Sequence, residues 1–250
     1  MSNSDSYTLS MLLECHTITK KFGGILAINN LSFNIYEKEI FGLIGPNGAG
    51  KTTLFNLITG CIKPDAGIFR FDGQEITKKE PYDICKRGIA RTHQLVKPFV
   101  NQTVIQNALV GSFFGNFDNI STAQARKEID PLLKLLSLDE KADRMVKELN
   151  VFERKNVELL RALATKPRLL LLDEPASGLS TNELANFIEQ IRSISNMGVT
   201  ICIIEHVMKL VLNLCDRVTV IHHGEKVTEG SPAEVTNDAE VIRLYLGESD

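Results

Sequence analysis

The stretch Gly45-Pro46-Asn47-Gly48-Ala49-Gly50-Lys51-Thr52-Thr53 constrains this chain more than any other, because it follows the pattern G-x-x-x-x-G-K-[ST]. An apolar run of strand character, Ile40–Ile44, stands before it, and a helix-like run, Thr53–Ile58, follows. Glycine permits backbone shapes in which no Cβ stands in the way, so successive N–H groups can converge on phosphate oxygens at a helix N-terminus. Lys51 then supplies a mobile point charge for the β- and γ-phosphates of a nucleotide, and Thr52 an oxygen for Mg²⁺. The competing reading is a glycine-rich turn that contains Lys-Thr by accident. Average residue frequencies produce such a match in about 1% of chains of this length, and the strand-before, helix-after context lowers that further.

A phosphate cradle needs an acid to hold its metal, and Asp173 is the candidate, since it ends the apolar run Leu169-Leu170-Leu171-Leu172. In an open parallel sheet, ligands gather outside the carboxyl ends of the strands, so an acid that ends one strand can face the loop that follows another. Glu174 comes next, and its carboxylate can polarise an attacking water, because γ-phosphoryl transfer needs an oriented nucleophile more than covalent help. The alternative is that Asp173 and Glu174 cap the next helix.

Composition removes several other classes. The 28 basic and 31 acidic side chains leave a formal charge of -3, so there is no bulk electrostatic reason to bind nucleic acid. Cys15, Cys61, Cys85, Cys202 and Cys215 form no Cys-x-x-Cys pair and are odd in number, which argues for reduced, mostly buried thiols rather than a disulfide framework or a zinc site. No uninterrupted apolar run exceeds four residues, whereas a membrane span takes roughly 20. The start, Met1–Ser10, is polar without a signal pattern, which favours a cytoplasmic chain with a disordered segment over residues 1–10.

The 250 residues read as one domain over 11–247 with an insertion. Strand-type runs at Leu12–Thr17, Leu31–Tyr36, Ile40–Ile44, Gly67–Phe71 and Ile89–His93 crowd the first part. From residue 104 to 165 the pattern turns helical, with Leu132, Leu133, Leu135 and Leu136 in one stretch and Leu159, Leu160 and Leu163 in another. Then follow a strand at Leu169–Asp173, a helix over Ser180–Asn196, a strand at Thr200–Ile204, a helix from Val207 and a hairpin over Arg217–Gly230. Strands that alternate with helices predict an α/β fold with a mostly parallel sheet covered on both faces.

These residues carry a family resemblance. Gly45–Thr53, Gln94, the run Leu169–Pro175 and His206 look like the Walker A motif, Q-loop, Walker B motif and switch histidine of an ABC (ATP-binding cassette) transporter ATPase, in matching order over nearly the whole chain. Gly88-Ile89-Ala90-Arg91-Thr92-His93-Gln94, Arg161-Ala162-Leu163-Ala164 and Glu229-Gly230-Ser231-Pro232-Ala233-Glu234-Val235 resemble, more narrowly, the ATP-binding subunits of branched-chain amino acid importers. The resemblance implies a P-loop NTPase fold with a RecA-like core sheet, an N-terminal antiparallel β subdomain and a helical subdomain. It implies ATP and Mg²⁺ as ligands, with Thr52, Gln94 and Asp173 around the metal, and Lys51, Glu174 and His206 in hydrolysis. Phe22 sits where the family stacks an aromatic on adenine; the alternative is a core Phe beside Gly23-Gly24. The implied partners are membrane-spanning permease subunits, met through an apolar surface that includes Phe113-Phe114-Gly115, and a second ABC ATPase subunit. The implied location is the cytoplasmic face of the plasma membrane, held peripherally. Another cargo, such as a lipid or lipopolysaccharide, would use the same residues, and a weakly hydrolysing regulatory subunit is a further alternative.

Two departures from the family pattern bear on hydrolysis. The family opens the helix before Walker B with Leu-Ser-Gly-Gly-Gln, which caps the nucleotide of the opposite subunit, and here the aligned residues are Leu149-Asn150-Val151-Phe152-Glu153. Side chains replace the close-approach glycines, and Glu153 brings a carboxylate toward a polyanion unless it turns away. Ser180 also replaces the usual Asp after Walker B. The expectation is one competent half-site paired with a weak capping surface, so that a partner with an intact signature would complete the strong site.

Overall fold

A computed structural model describes residues 10–94, 97–115 and 120–246; apart from Ser10, the expectation for the first ten residues, and that for the domain end at 247, fall outside them. The chain opens with a hairpin of β1 (Met11–Phe22) and β2 (Ile25–Tyr36), turned at Gly23-Gly24. Both strands outrun the apolar segments that predict them, because the polar ends still pair backbone to backbone: Lys20 faces Ile28 and Phe22 faces Ile25. Register shifts after Cys15 and Ile18 re-aim the pleat at that point. β3 (Ile40–Ile44) leads into the glycine-rich loop and α1 (Lys51–Ile58), after which β4 (Ala66–Phe71) and β5 (Gln74–Glu75) return to the hairpin. The result is an antiparallel sheet in the order β2-β1-β4-β5.

The remaining elements alternate. They are α2 (Pro81–Lys86), β6 (Ile89–Arg91), α3 (Val104–Phe114), α4 (Thr122–Leu135), α5 (Val151–Leu163), β7 (Leu169–Asp173), α6 (Thr181–Asn196), β8 (Thr200–Ile204), α7 (Met208–Leu214), β9 (Arg217–His222), β10 (Glu225–Gly230), α8 (Pro232–Asn237) and α9 (Ala239–Leu246). The second sheet runs β10-β9-β3-β8-β7-β6, with every neighbour parallel except the β9–β10 hairpin. β6 is shorter than its apolar run. Thr92 still donates to Leu171 O, at 2.9 Å, but the His93 N–H leaves the ladder for the Glu158 carboxylate at 3.0 Å.

Strand residues point alternately to opposite faces, so one buried sheet feeds two cores. Ile40, Ile44, Leu170, Leu172, Ile201, Ile203, Val218 and Val220 join α3 to α7 in the larger core. Their neighbours Phe41, Leu43, Leu169, Leu171, Cys202, Ile204 and Ile221 face α1 and the antiparallel sheet in the other. Each fully buried Leu or Ile contributes about 1.5–3 kcal/mol relative to exposure, which rewards unbroken apolar strands over alternating ones.

The helical region between β6 and β7 is built on capped helices. Thr103 and Asn150 each close a capping box, on Gln106 and Glu153, and Ser121 caps α4 through the Gln124 N–H. α3 and α5 touch closely at Gly111, where a Cβ would stand 2.1 Å from Arg161 O. Among the described residues, no helix is long and apolar enough to cross a membrane.

Candidate active site

The glycine-rich loop forms because β3 ends at Ile44 and the chain must turn under β9. Gly45 tolerates no side chain, since a Cβ there would meet Ile221 O at 2.1 Å, and Gly50 at φ 103 would drive one to 2.6 Å from Ala27 O. Gly50 also begins α1 with no side-chain cap and no acid in the first turn, so the helix presents free N–H groups and a positive dipole end to whatever occupies the loop. The β9–β10 turn braces it from behind, with Gly224 N–H donating to Ala49 O at 3.0 Å and Asn29 N–H to Gly224 O at 2.9 Å.

Above this loop lies a cavity of about 760 Å³, lined by Gly45 through Thr53, Gln94, Glu174, His206, His223, Tyr245 and Ile25 to Ala27. Parallel pairing of β3, β8, β7 and β6 therefore brings together Gly45, Pro46, Asn47, Gly48, Ala49, Gly50, Lys51, Thr52, Thr53, Gln94, Glu174 and His206, as the strand-end argument expects. Lys51 is 6% exposed, and its ammonium folds back to donate to Gly45 O at 2.7 Å and Pro46 O at 2.9 Å. Burial draws its pKa down, opposed by the charges of Glu174 and Asp173. An incoming phosphate offers the ammonium stronger, charge-assisted partners than two carbonyls.

Glu174 holds φ 47, a left-handed conformation that costs a side chain on the order of 1 kcal/mol and persists only where the surroundings enforce it. Its N–H donates to Ile204 O at 2.9 Å, which locks the turn to the end of β8. Gln94 Nε2 donates to Glu174 Oε2 at 2.6 Å, and His206 Nδ1 stands 3.9 Å from the same oxygen. A carboxylate, an amide and an imidazole thus converge on one point of the cavity wall, opposite the phosphate loop.

Asp173 lies beneath this wall and not on its lining. It is 2% exposed, and its Oδ2 accepts from Arg91 at 2.7 Å while Oδ1 is buried with no hydrogen-bond partner. An orphaned buried carboxylate oxygen beside the Thr52 loop fits a hard, oxygen-seeking cation such as Mg²⁺, whose remaining ligands would be phosphate oxygens and water. Among the described residues no group of three His, Cys, Asp or Glu side chains could hold a metal unaided. The helix-cap reading of Asp173 and Glu174 fails, because Ser180 caps α6 in a box with Glu183. The core reading of Phe22 fails too: it is 46% exposed at the end of β1, beside the lining residue Ile25, with Lys20 over its ring.

At the signature position Leu149 is buried, Asn150 caps α5, Val151 is 63% exposed and Phe152 packs on the larger core. Glu153 turns back: its Oε2 accepts from Asn150 N–H at 2.9 Å and its Oε1 from Lys141. Burial raises its pKa, but Lys141 and the Asn150 N–H outweigh that and hold the carboxyl below its ordinary range. The Glu153 N–H is spent on Asn150 Oδ1 at 2.9 Å, which leaves Val151 and Phe152 to offer the free amides of this helix start.

Sequence reasoning missed Tyr245, His223 and Ile25–Ala27. His223 carried no supporting signal, although its φ of 47 in a His-Gly turn is the kind of local strain that marks a site. Tyr245 arrives on α9, with Val241 buried and Leu244 packed on the larger core, and it lines the cavity together with Gly45. No pattern within the tail itself points to the phosphate loop.

Comparison with known proteins adds a consistent picture. A family model described as ABC transporter matches residues 28–177, and one described as branched-chain amino acid ATP-binding cassette transporter matches residues 225–250. The chain is similar to the high-affinity branched-chain amino acid transport ATP-binding protein LivG of Escherichia coli K12, at 39% identity covering 95% of this chain and 98% of that one. It is also similar to BraF of Pseudomonas aeruginosa, which carries the same description, at 37% identity and the same coverage. A solved nucleotide-free ATP-binding cassette from an ABC transporter superposes with a TM-score of 0.86 at 31% identity, covering 95% of this chain and all 100% of that one. The structure of cbiO1 from Clostridium perfringens, part of the ABC transporter complex cbiONQ, is also similar, with a TM-score of 0.81, 27% identity and 94% coverage of both chains.

Proposed function

The chain belongs to the ABC transporter family, and from that premise we propose that it is the ATP-hydrolysing subunit of an importer for branched-chain or related amino acids. The observation that carries the hydrolytic reading is the convergence of Lys51, Gln94, Glu174 and His206 on one cavity. The cargo class is supported by the relatives' descriptions and by the match over residues 225–250.

In this reading the loop amides of Gly45–Thr53 and Lys51 bind the triphosphate, and the exposed edge at Phe22 and Ile25 receives the base. Thr52, Asp173 and Gln94 would hold Mg²⁺, which supplies charge neutralisation between the β- and γ-phosphates when bound. Glu174 orients a water for in-line attack and takes its proton; Gln94 fixes the carboxylate, and His206 donates toward the γ-phosphate. Two subunits would close over ATP and separate after hydrolysis, the two-state element that drives a permease. Phe113 and Phe114, 41% and 73% exposed, offer the apolar surface that a membrane subunit would cover from the cytoplasmic side. The altered signature supports a second reading, a chain that binds ATP well and hydrolyses it weakly unless a partner caps its site.

The test is Glu174→Gln. ATP affinity is expected to stay within a few-fold while kcat falls by about 10² or more, the usual range for a lost general base. Turnover equal to the wild type would remove Glu174 from the mechanism. Uptake of radiolabelled leucine into vesicles that carry the assembled transporter checks the cargo, and uptake independent of this subunit would rule that cargo out.

A further inference from the structure

Beneath Glu174 lies a set of charged groups that phosphate binding does not use. Glu205 is 0% exposed, an expensive place for a carboxylate unless every lone pair is engaged. Its Oε1 accepts from Ala176 N–H at 2.7 Å, and its Oε2 from His206 N–H at 3.1 Å and Val207 N–H at 3.2 Å. One side chain therefore ties the loop after Glu174 to the segment that carries His206. Glu158, on α5 and 3% exposed, accepts from His93 N–H at 3.0 Å, one residue before Gln94. Lys155, one turn earlier on the same helix, donates to Pro175 O at 2.8 Å and Ser177 O at 2.7 Å. Burial draws the Lys155 ammonium down, and the charges of Glu205 and Glu158 act against that, so the three groups sit in one electrostatic neighbourhood. A small cleft lined by His93, Lys155, Glu158, Glu174 and Pro175 joins them.

We propose that Glu158, Lys155 and Glu205 form a positioning relay that registers Gln94, the 175–177 loop and His206 against α5, so that hydrolysis depends on the relay and nucleotide binding does not. Each contact ends on a backbone group, at His206 itself or beside Gln94 and Glu174, and none on a reacting side chain, which suits positioning rather than chemistry. The three loops leave the ends of the neighbouring strands β6, β7 and β8, and beyond those ladders α5 holds the first through Glu158 and the second through Lys155. A shift of α5 on assembly would thus reach Gln94 through Glu158, and the 175–177 loop and His206 through Lys155 and Glu205. The proposal rests on the ATPase reading above.

The test uses the full chain in four forms: wild type, Glu205→Gln, Lys155→Met and the double variant. Affinity for a fluorescent ATP analogue is expected to stay within twofold, while kcat in the assembled transporter falls at least tenfold in each single variant. The double variant should be no worse than the poorer single one, because members of one network are not additive. Hydrogen exchange at His206 and Val207 amides should quicken at least tenfold in Lys155→Met, which alters neither of their direct bonds. Turnover within twofold of the wild type, additive losses, affinity that falls in step with kcat, or unchanged exchange in Lys155→Met would overturn the relay. A wild-type chain that binds ATP yet never turns it over would overturn the hydrolytic reading instead, and the exchange measurement would still decide the relay.

Discussion

A methyl group added at Gly45 would stand 2.1 Å from the Ile221 carbonyl oxygen, a separation that no packed carbon adopts, and that oxygen is backbone in β9 and cannot swing aside as a side chain would. Gly45→Ala is therefore expected to displace the loop from β9 and weaken ATP binding by more than tenfold, measured by titration of a fluorescent analogue; affinity near that of the wild type would mean the loop relaxes without loss. Glycine spacing announces such a position in the sequence, because close approach and left-handed backbone are local demands on one residue. Glu174 shows the limit of that legibility. Its role follows from its place after an apolar strand, but its φ of 47 and its bond from Gln94 depend on Ile204 and on a loop far away in the chain. Asp173 was legible as an acid at a strand end, whereas its burial under Arg91 was not, since the salt bridge at 2.7 Å crosses from β6 to β7.

At the scale of elements, α5 is informative because its start is both a helix cap and the altered signature. Asn150→Ala removes the acceptor for Glu153 N–H and should lower stability by about 1 kcal/mol, read as a reduced urea midpoint at constant slope. No change in midpoint would show that water replaces the cap without cost. The same variant also loosens Glu153, whose carboxylate now turns away toward Lys141 and the Asn150 N–H. α6 falls where periodicity puts it, with Ser180 as its cap, and α3, α4 and α5 lie inside the helical block that starts at residue 104, although the periodicity does not divide that block into its helices. Strand ends were less legible. β1 and β2 extend through polar residues held only by cross-strand hydrogen bonds, and β6 stops early because Glu158 draws the His93 N–H out of the ladder.

For the whole molecule, the signature residues bear on assembly more than on this chain's own cavity. Val151 and Phe152 stand where the family pattern has glycines: the helix start keeps two free amides, Phe152 turns onto the core, and in the proposed ATPase the exposed Val151 side chain would stand where a partner's γ-phosphate approaches. Steady-state ATPase activity is accordingly expected to rise on addition of a related cassette with an intact Leu-Ser-Gly-Gly-Gln; a purified homodimer as active as the complete complex would refute the asymmetry. The amino-acid sequence by itself determined the phosphate loop, the apolar strands, the helix caps and the order of the motifs, because each is set by residues a few positions apart. Only the tertiary structure decided that Lys51, Gln94, Glu174, His206 and Tyr245 share one cavity and that Glu205 and Lys155 clasp the same loop. Those meetings follow from the strand order β9-β3-β8-β7-β6 and from two cores on opposite faces, and both are products of long-range backbone pairing and burial that no local pattern encodes.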